Sequence, residues 1–390
     1  MRKYGLAIIG ASKRSTMMLD YLNNHPQQGF VAGIYDIIPA AAEYLIKHYS
    51  LADATVYGSL VQAMDDPHVH VVFIGTPDCE HVAPTITGLR AGKHVYCEKP
   101  IATTVQDCDR IIEEARNTKS LFYLGMNLRH SPVYETLHKA LSDGRFGKLL
   151  TLEANELYYS GKTYFRRWNR LRKYSGGLWI TKACHDFDLL NWFAGGKPTR
   201  VFATSSLSHY KPMPEAGEYC RVCSIKDQCP DRYSDNNPIW DKLAQLTEEA
   251  TGQRKDICLF NSDKDTFDNG IAVVDYDNDV RACYVLSVVS SRSTRQMSLV
   301  GTEGSAQGDM EDCMVTFWKR HSEQRESSDL HEQMNSGHGG ADERILADFF
   351  HCCQTGEKPR SSWADGRESL IVGLAARESC DTGKPVILRE

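Results

Sequence analysis

Short β-branched and aromatic runs alternate with segments of helical period through the first part of the chain. Leu6–Ile9 reads as a strand ending at Gly10, and Met17–Leu22 as a helix. Phe30–Tyr35 reads as a second strand ending at Asp36, followed by a helix over Pro39–Tyr49 with proline in its first turn. Val69–Ile74, Val95–Cys97 and Leu121–Leu124 continue the strands, with helices over Val82–Arg90 and Val105–Arg116 between them. Strands alternating with helices predict βαβ units and a parallel sheet with right-handed crossovers. The fold class expected is α/β, with a doubly wound dinucleotide-binding pattern over residues 1–127.

From residue 128 to 390 the pattern changes. Pro132–Leu141 is a helix closed by Asp143-Gly144, and Leu149–Leu157 starts a second sheet. Thr199–Leu207, Gly270–Tyr276, Val280–Val289, Gln296–Val300 and Met314–Lys319 are further strands, with Asp277-Asn278-Asp279 as a hairpin turn. Leu178–Phe193, Glu343–Cys353 and Gly366–Ser379 are helices. An insertion over about 211–260 is polar and loop-like.

A length of 390 residues accommodates two domains. A net charge of −6 without a basic stripe argues against a nucleic-acid partner. The apolar run after Met1-Arg2-Lys3-Tyr4 is too short for a signal segment, and no stretch reaches a membrane span, so a cytoplasmic location is expected. Thirteen cysteines in such a chain are buried small hydrophobes or metal ligands before they are disulfides.

Candidate chemistry begins at the first strand's end. A dinucleotide loop reads Gly-x-Gly-x-x-Gly; here it is Gly10-Ala11-Ser12-Lys13-Arg14-Ser15, with serines at the second and third glycine positions. Backbone donors at the helix start still face a pyrophosphate, and Lys13 and Arg14 add charge toward it. Asp36, at the second strand's end and 21 residues after Ser15, is placed to accept from ribose hydroxyls and to repel a 2′-phosphate, which favours NAD over NADP. Its alternative role is to cap the next helix. In Glu98-Lys99-Pro100, proline stops a strand and leaves Lys99 at the crevice where parallel strands end.

Gly10, Asp36, Thr76-Pro77 with His81, Ala91-Gly92-Lys93-His94-Val95, Glu98-Lys99-Pro100, Gly176-Gly177, His185 with Asp188, and Gly301-Thr302-Glu303-Gly304 together resemble the Gfo/Idh/MocA oxidoreductases. The resemblance covers nearly the whole chain. It implies an N-terminal Rossmann NAD-binding domain, a C-terminal α/β domain with a large, open, mostly antiparallel sheet, a nicotinamide cofactor and a sugar or cyclitol substrate. It puts Thr76, Pro77, His81, Glu98, Lys99 and Asn127 with Gly10, Ser12, Lys13, Arg14 and Asp36 around the cofactor. Lys99 would lie beside the nicotinamide and His185 near the reacting hydroxyl.

Lys182, His185 and Asp188 recur every three residues and so share a face of the helix Leu178–Phe193, whose other faces are apolar. Histidine suits proton transfer because its ordinary pKa lies near neutrality. Many relatives carry an aspartate four residues before this histidine; here Thr181 stands there, and the alternatives are that Lys182 binds a substrate oxygen, that it replaces the acid–base group, or that the chemistry is altered. Arg129, Tyr164, Trp168, Lys182, Asp188 and His338, the last in Gly337-His338-Gly339-Gly340, are the substrate-site candidates.

Cys220, Cys223 and Cys229 are spaced Cys-x2-Cys-x5-Cys, with Cys258 29 residues beyond. Four such thiols fit a structural zinc that staples an insertion without its own core. Free thiols and a disulfide are the alternatives, with an iron–sulfur cluster ranked behind zinc.

Three functions remain open at this point: an NAD-dependent dehydrogenase or reductase acting on a secondary hydroxyl of a sugar, cyclitol or sugar derivative; a glycosidase that retains NAD; and a non-catalytic sugar or redox sensor. The second sheet, with helices mainly on one face, is expected to turn Val285, Val288 and Val289 outward into a dimer or tetramer contact.

Overall fold

A computed structural model describes residues 2–234, 237–334 and 337–388. The first sheet consists of β1 (Tyr4–Ile9), β2 (Gly29–Tyr35), β3 (Thr55–Val56), β4 (Val71–Ile74), β5 (His94–Cys97) and β6 (Phe122–Leu124). All pairs are parallel, in the order β3-β2-β1-β4-β5-β6. Helices α1 (Lys13–Asn24), α2 (Pro39–His48), α3 (Leu60–Asp65), α4 (Val82–Arg90) and α5 (Val105–Arg116) connect them. The strands β1 and β4 are buried throughout, as strands covered on both faces must be.

Helix α6 (Pro132–Ser142) leads into a nine-stranded sheet. Its strands are β7 (Leu149–Tyr159), β8 (Pro198–Ser206), β9 (Asn269–Tyr276), β10 (Arg281–Ser287), β11 (Val289–Gly301), β12 (Gly304–Asp309), β13 (Met314–Lys319), β14 (Arg325–Asp329) and β15 (Val386–Ile387). The order is β14-β13-β12-β11-β7-β10-β9-β8-β15, with only β10–β7 parallel. Helices Cys184–Ala194 and Trp363–Thr382 pack on its inner face.

Several expectations change. The helix Leu178–Phe193 is two helices, Leu178–Thr181 and Cys184–Ala194, broken where Lys182 leaves the helix axis with φ −112°. The insertion is not all loop: Asn237 caps a helix over Pro238–Thr251 whose Leu243 is buried in the first domain's core. β12 was missed because Gly304-Ser305-Ala306-Gln307-Gly308 lacks β-branched residues. Its small side chains let α6 approach, since a Cβ on Gly308 would lie 2.7 Å from Leu137 and Val133. Val280–Val289 also fails as one strand: Val285 lies on the outer face, but Val288 is buried in the core between β10 and β11.

The chain then returns. Helix Ala341–Thr355 lays Ile345, Leu346, Phe349 and Phe350 on the first sheet's core, crossing the sheet face from Asp342 beside Arg14 to Cys353, whose carbonyl accepts from Tyr4 at the start of β1.

Candidate active site

Gly10 turns with φ +93°, and a Cβ there would lie 3.1 Å from Gly75 and Thr76 backbone atoms. Only glycine lets the β1 and β4 turns approach this closely. Ser12 caps α1 through its side chain, and Ser15, in place of the last glycine, is buried with its hydroxyl donating to the Gly10 carbonyl. Asp36 accepts from the Ala11 and Ile38 N–H groups, each at 2.7 Å, so it bridges the first turn and the start of α2. Thr76 Oγ1 and Asn127 Oδ1 are buried polar atoms without a protein partner. A glycine cradle, a capped helix start and a carboxylate at the end of β2 are the chemistry that a dinucleotide requires, and the residues present fit NAD.

The charged loop residues sit elsewhere than expected. Arg14 does not stand open toward a pyrophosphate: it pairs with Glu98 at 2.9 Å and Asp342 at 3.3 Å. Lys13 Nζ lies 4.0 Å from the centre of the Trp240 ring of the insertion helix. His81 is fully buried, its ring between the Pro100 carbonyl at 2.7 Å and the Thr76 carbonyl at 3.2 Å. It therefore spaces the two loops instead of facing the cofactor.

Lys99 follows β5, and its Nζ donates to the Thr181 carbonyl at 2.7 Å. Asp78, buried beside it, also bonds the Thr181 side chain; burial pushes its pKa up to about 7, against the opposing pull of Lys99. His185 is 4 % exposed and its Nδ1 has no protein partner. Burial first, then Lys99, Arg295 and Lys182, drive its pKa well below the ordinary value, so the imidazole is neutral. His338, in the left-handed region at φ +48°, places its ring centre 6.2 Å from that of His185. Its Nδ1 lies 2.9 Å from Asp342, which also accepts from Asn127 at 2.7 Å. Burial would raise the Asp342 pKa, but Arg14 and His338 reverse this and hold it far below the carboxylate range.

Lys182 and Asp188 do not join His185 on one face. Lys182 pairs with Glu156 of β7 at 2.6 Å, and Glu156 also takes Arg295 of β11 at 3.0 Å. Arg295 reaches Asp186 at 2.9 Å, and Tyr284 donates to the same carboxylate. Lys182 thus heads a closed network of two cations and two anions behind His185. Asp188 instead holds Arg129 through two bonds of 2.7 and 2.8 Å, and Arg129 also meets Asp365. Both are buried, so this pair ties the segment that follows β6 to the helix Cys184–Ala194. Tyr164 is buried beside Tyr158 and Lys182, while Trp168 is half-buried.

Sequence reasoning missed Glu156, Arg295, Asp78 and Asp342. A signal existed for two of them. Leu152 and Ala154 point inward on β7, and Glu156 shares their parity; Arg295 shares that of Met297 and Leu299. A charge at an inward position of a strand announces a buried partner.

Among the described residues, no three His, Cys, Asp or Glu side chains converge closely enough to hold a metal ion, so the expected zinc geometry at Cys220, Cys223, Cys229 and Cys258 is not formed. Among them, too, no helix is long and apolar enough to cross a membrane.

Comparison with known proteins agrees with this architecture. The profile of an oxidoreductase family's NAD-binding Rossmann fold matches residues 4–126, and that of its C-terminal alpha/beta domain matches 138–388. The Bacillus subtilis protein YteT, whose name places it among oxidoreductases, is 30% identical over 82% of this chain and 81% of its own. Myo-inositol 2-dehydrogenase of Thermotoga maritima is 24% identical over 84% of this chain and 83% of its own. The solved structure of levoglucosan dehydrogenase with NADH and levoglucosan superposes with a TM-score of 0.79 at 17% identity, covering 100% of both chains. The chain belongs to the Gfo/Idh/MocA oxidoreductase family, with its NAD-binding Rossmann domain followed by the family's C-terminal α/β domain.

Proposed function

We propose that this protein is an NAD-dependent oxidoreductase acting at a secondary hydroxyl of a sugar, cyclitol or sugar derivative. The observation that carries the reading is His185: a buried, neutral imidazole with an unpartnered nitrogen, next to the lysine at the end of β5. When bound, NAD supplies the hydride acceptor. Gly10, Ser12 and Asp36 bind and orient it, and Asp36 disfavours a 2′-phosphate. His185 takes the hydroxyl proton at its free nitrogen as the C–H bond breaks, and gives it back in the reverse direction. Lys99, held by the Thr181 carbonyl, orients the hydroxyl oxygen and disperses charge developing on it. His338 closes the site opposite His185. The substrate class follows from relatives named for myo-inositol and levoglucosan.

The test is NADH formation on a panel of cyclitols, anhydrosugars and sugar acids, with NAD and NADP titrated by calorimetry. Reduced nicotinamide with at least one polyol and tighter NAD than NADP binding are expected. Equal affinity for NADP would remove Asp36 from the reading, and inactivity on every polyol would remove the substrate class.

One observation favours a cofactor that stays bound through turnover, as a glycosidase using transient oxidation requires. The insertion helix lies against the start of α1, with Trp240 stacked on Lys13 and its Nε1 donating to Thr16 at 3.4 Å. Bond cleavage in a glycoside without net NADH would identify that alternative. The outer face of the large sheet is proposed as a two-fold contact with a second copy.

A further inference from the structure

A buried base has to be emptied at every turnover. His185 is buried, and Lys99, Arg295 and Lys182 stand around it. A second proton would make it a fourth cation in that enclosure, which burial and its three neighbours oppose. Lys99 is bonded to the Thr181 carbonyl and Lys182 to Glu156, so neither cation is a place for that proton.

His338 stands beside His185 with a way out. The two ring centres are 6.2 Å apart, with their planes inclined at 43°. The His338 side chain is 37 % exposed, so it touches solvent as well as the site. Two hydrogen bonds of about 2.8 Å end to end cover such a gap, so one oxygen between the rings joins them.

The loop that carries His338 holds one ring nitrogen in place. His338 Nδ1 lies 2.9 Å from a carboxylate oxygen of Asp342, in the first turn of the helix Ala341–Thr355. Asn127 Nδ2 at 2.7 Å and Arg14 Nη2 at 3.3 Å fix that carboxylate from behind. His338 reaches it by adopting φ +48°, a conformation that histidine rarely takes, and Gly339 and Gly340 follow in the same region. A Cβ on Gly337 would lie 2.6 Å from the Asp342 carboxylate, so a larger residue there would push the pair apart. With Nδ1 donating to Asp342, Nε2 is the nitrogen left to accept a proton. His185 and Glu156 of β7 also lie near His338, and Glu156 is already engaged by Lys182 and Arg295.

We propose that His338, held by Asp342, is a proton relay that empties His185 to solvent. The relay rests on the reading of His185 as the base that takes the hydroxyl proton. In oxidation the substrate O–H bond breaks and its proton goes to His185, while the C–H electron pair leaves as hydride to the nicotinamide. The proton then passes through one bridging oxygen, of water or of a neighbouring substrate hydroxyl, to Nε2 of His338. That oxygen takes the His185 proton and gives up one of its own, so it ends unchanged. Asp342 faces the imidazolium that forms, as a carboxylate beside a working histidine does. Nε2 releases the proton to bulk water and both rings return to the neutral form. One proton leaves for each hydride transferred, and reduction runs the path inward.

Two variants of the full chain separate a relay from a scaffold. His338→Gly suits the left-handed backbone and opens the space of the ring; His338→Asn also suits it and keeps a donor for Asp342, but carries no proton. In dilute buffer each should lower kcat by roughly two orders of magnitude with NAD affinity retained. Imidazole added to the glycine variant should restore most of the rate and saturate with concentration. Turnover equal to wild type overturns the relay. So does a loss that imidazole leaves unchanged, which would make His338 a binding or scaffold residue. A second measurement needs no substrate. In protein carrying isotope-labelled histidine, with the His185 signal assigned through His185→Asn, the His185 N–H should exchange with solvent roughly ten-fold or more slowly in the glycine variant, and imidazole should reverse this. Equal exchange in both proteins overturns the relay. A wild type that oxidises no polyol, while this exchange depends on His338, removes the substrate class and leaves the relay standing.

Discussion

At the scale of single residues, His185 is buried and uncharged, the state its proposed role needs. An exposed histidine would titrate near neutrality; here burial and three nearby cations keep the imidazole in its basic form. His185→Asn and Lys99→Met should each lower kcat by roughly two or more orders of magnitude with NAD affinity retained, measured by steady-state rates beside calorimetry. A variant with near-normal turnover would lose its place in the mechanism. Asp78 gives a second expectation. Its pKa in the folded protein, about 7, lies above the unfolded value, so the native state holds an extra proton between about pH 4 and pH 7. Its contribution to stability is therefore fully present below that window and lost as pH rises through it. Asp78→Asn should flatten the decline, read as urea midpoints at intervals from pH 4 to 8; an unchanged slope would show that Asp78 ionises normally. Lys99 and His185 were legible because motif spacing marks them. Asp78 was not, because its meaning comes from Thr181 and Lys99, which lie far along the chain.

At the scale of elements, the helix breaks after Thr181, where the family resemblance places an aspartate. Leaving the helix axis frees Lys182 to reach Glu156, and the network through Arg295 to Asp186 fixes the first turn of Cys184–Ala194, where His185 sits. Burial favours the neutral form of Glu156, but Arg295 and Lys182 reverse this and keep it ionised. Glu156→Gln leaves two buried cations facing one carboxylate, and should destabilise the protein by about 3–5 kcal/mol, the scale for breaking a buried pair. Chemical denaturation measures this; a loss below about 1 kcal/mol, the ordinary worth of an exposed pair, would mean that solvent reaches the network. The alternating strands and helices of the first domain were readable from period alone. The split helix was not, since its residues are apolar on both sides of the break and only tertiary pairing sets Lys182 apart. The insertion helix was hidden for another reason: its apolar residues Ile239, Leu243 and Leu246 make sense only against the first domain's core.

At the scale of the whole molecule, what remains uncovered is the outer face of the large sheet. Outward positions are fixed by register. Phe202 stands opposite Val273, which faces Cys283, and Ile271 stands opposite Val285, so β8, β9 and β10 share an apolar patch. Toward β12 and β13 the same face mixes polar Ser298, Gln307 and Thr316 with the exposed Val300 and Trp318. Phe202, Ile271 and Val273 are each more than 40 % exposed, although their neighbours on the inner face are buried. The insertion does not cover this patch, because its helix is engaged on the first domain. A second copy related by a two-fold axis brings the same patch to itself. Light scattering at low micromolar concentration should then give twice the chain mass of 43.9 kDa. The double variant V273K/I271K places like charges across the axis and should shift the protein to monomer while leaving NAD affinity intact. A wild-type monomer at that concentration would show that this face stays wet.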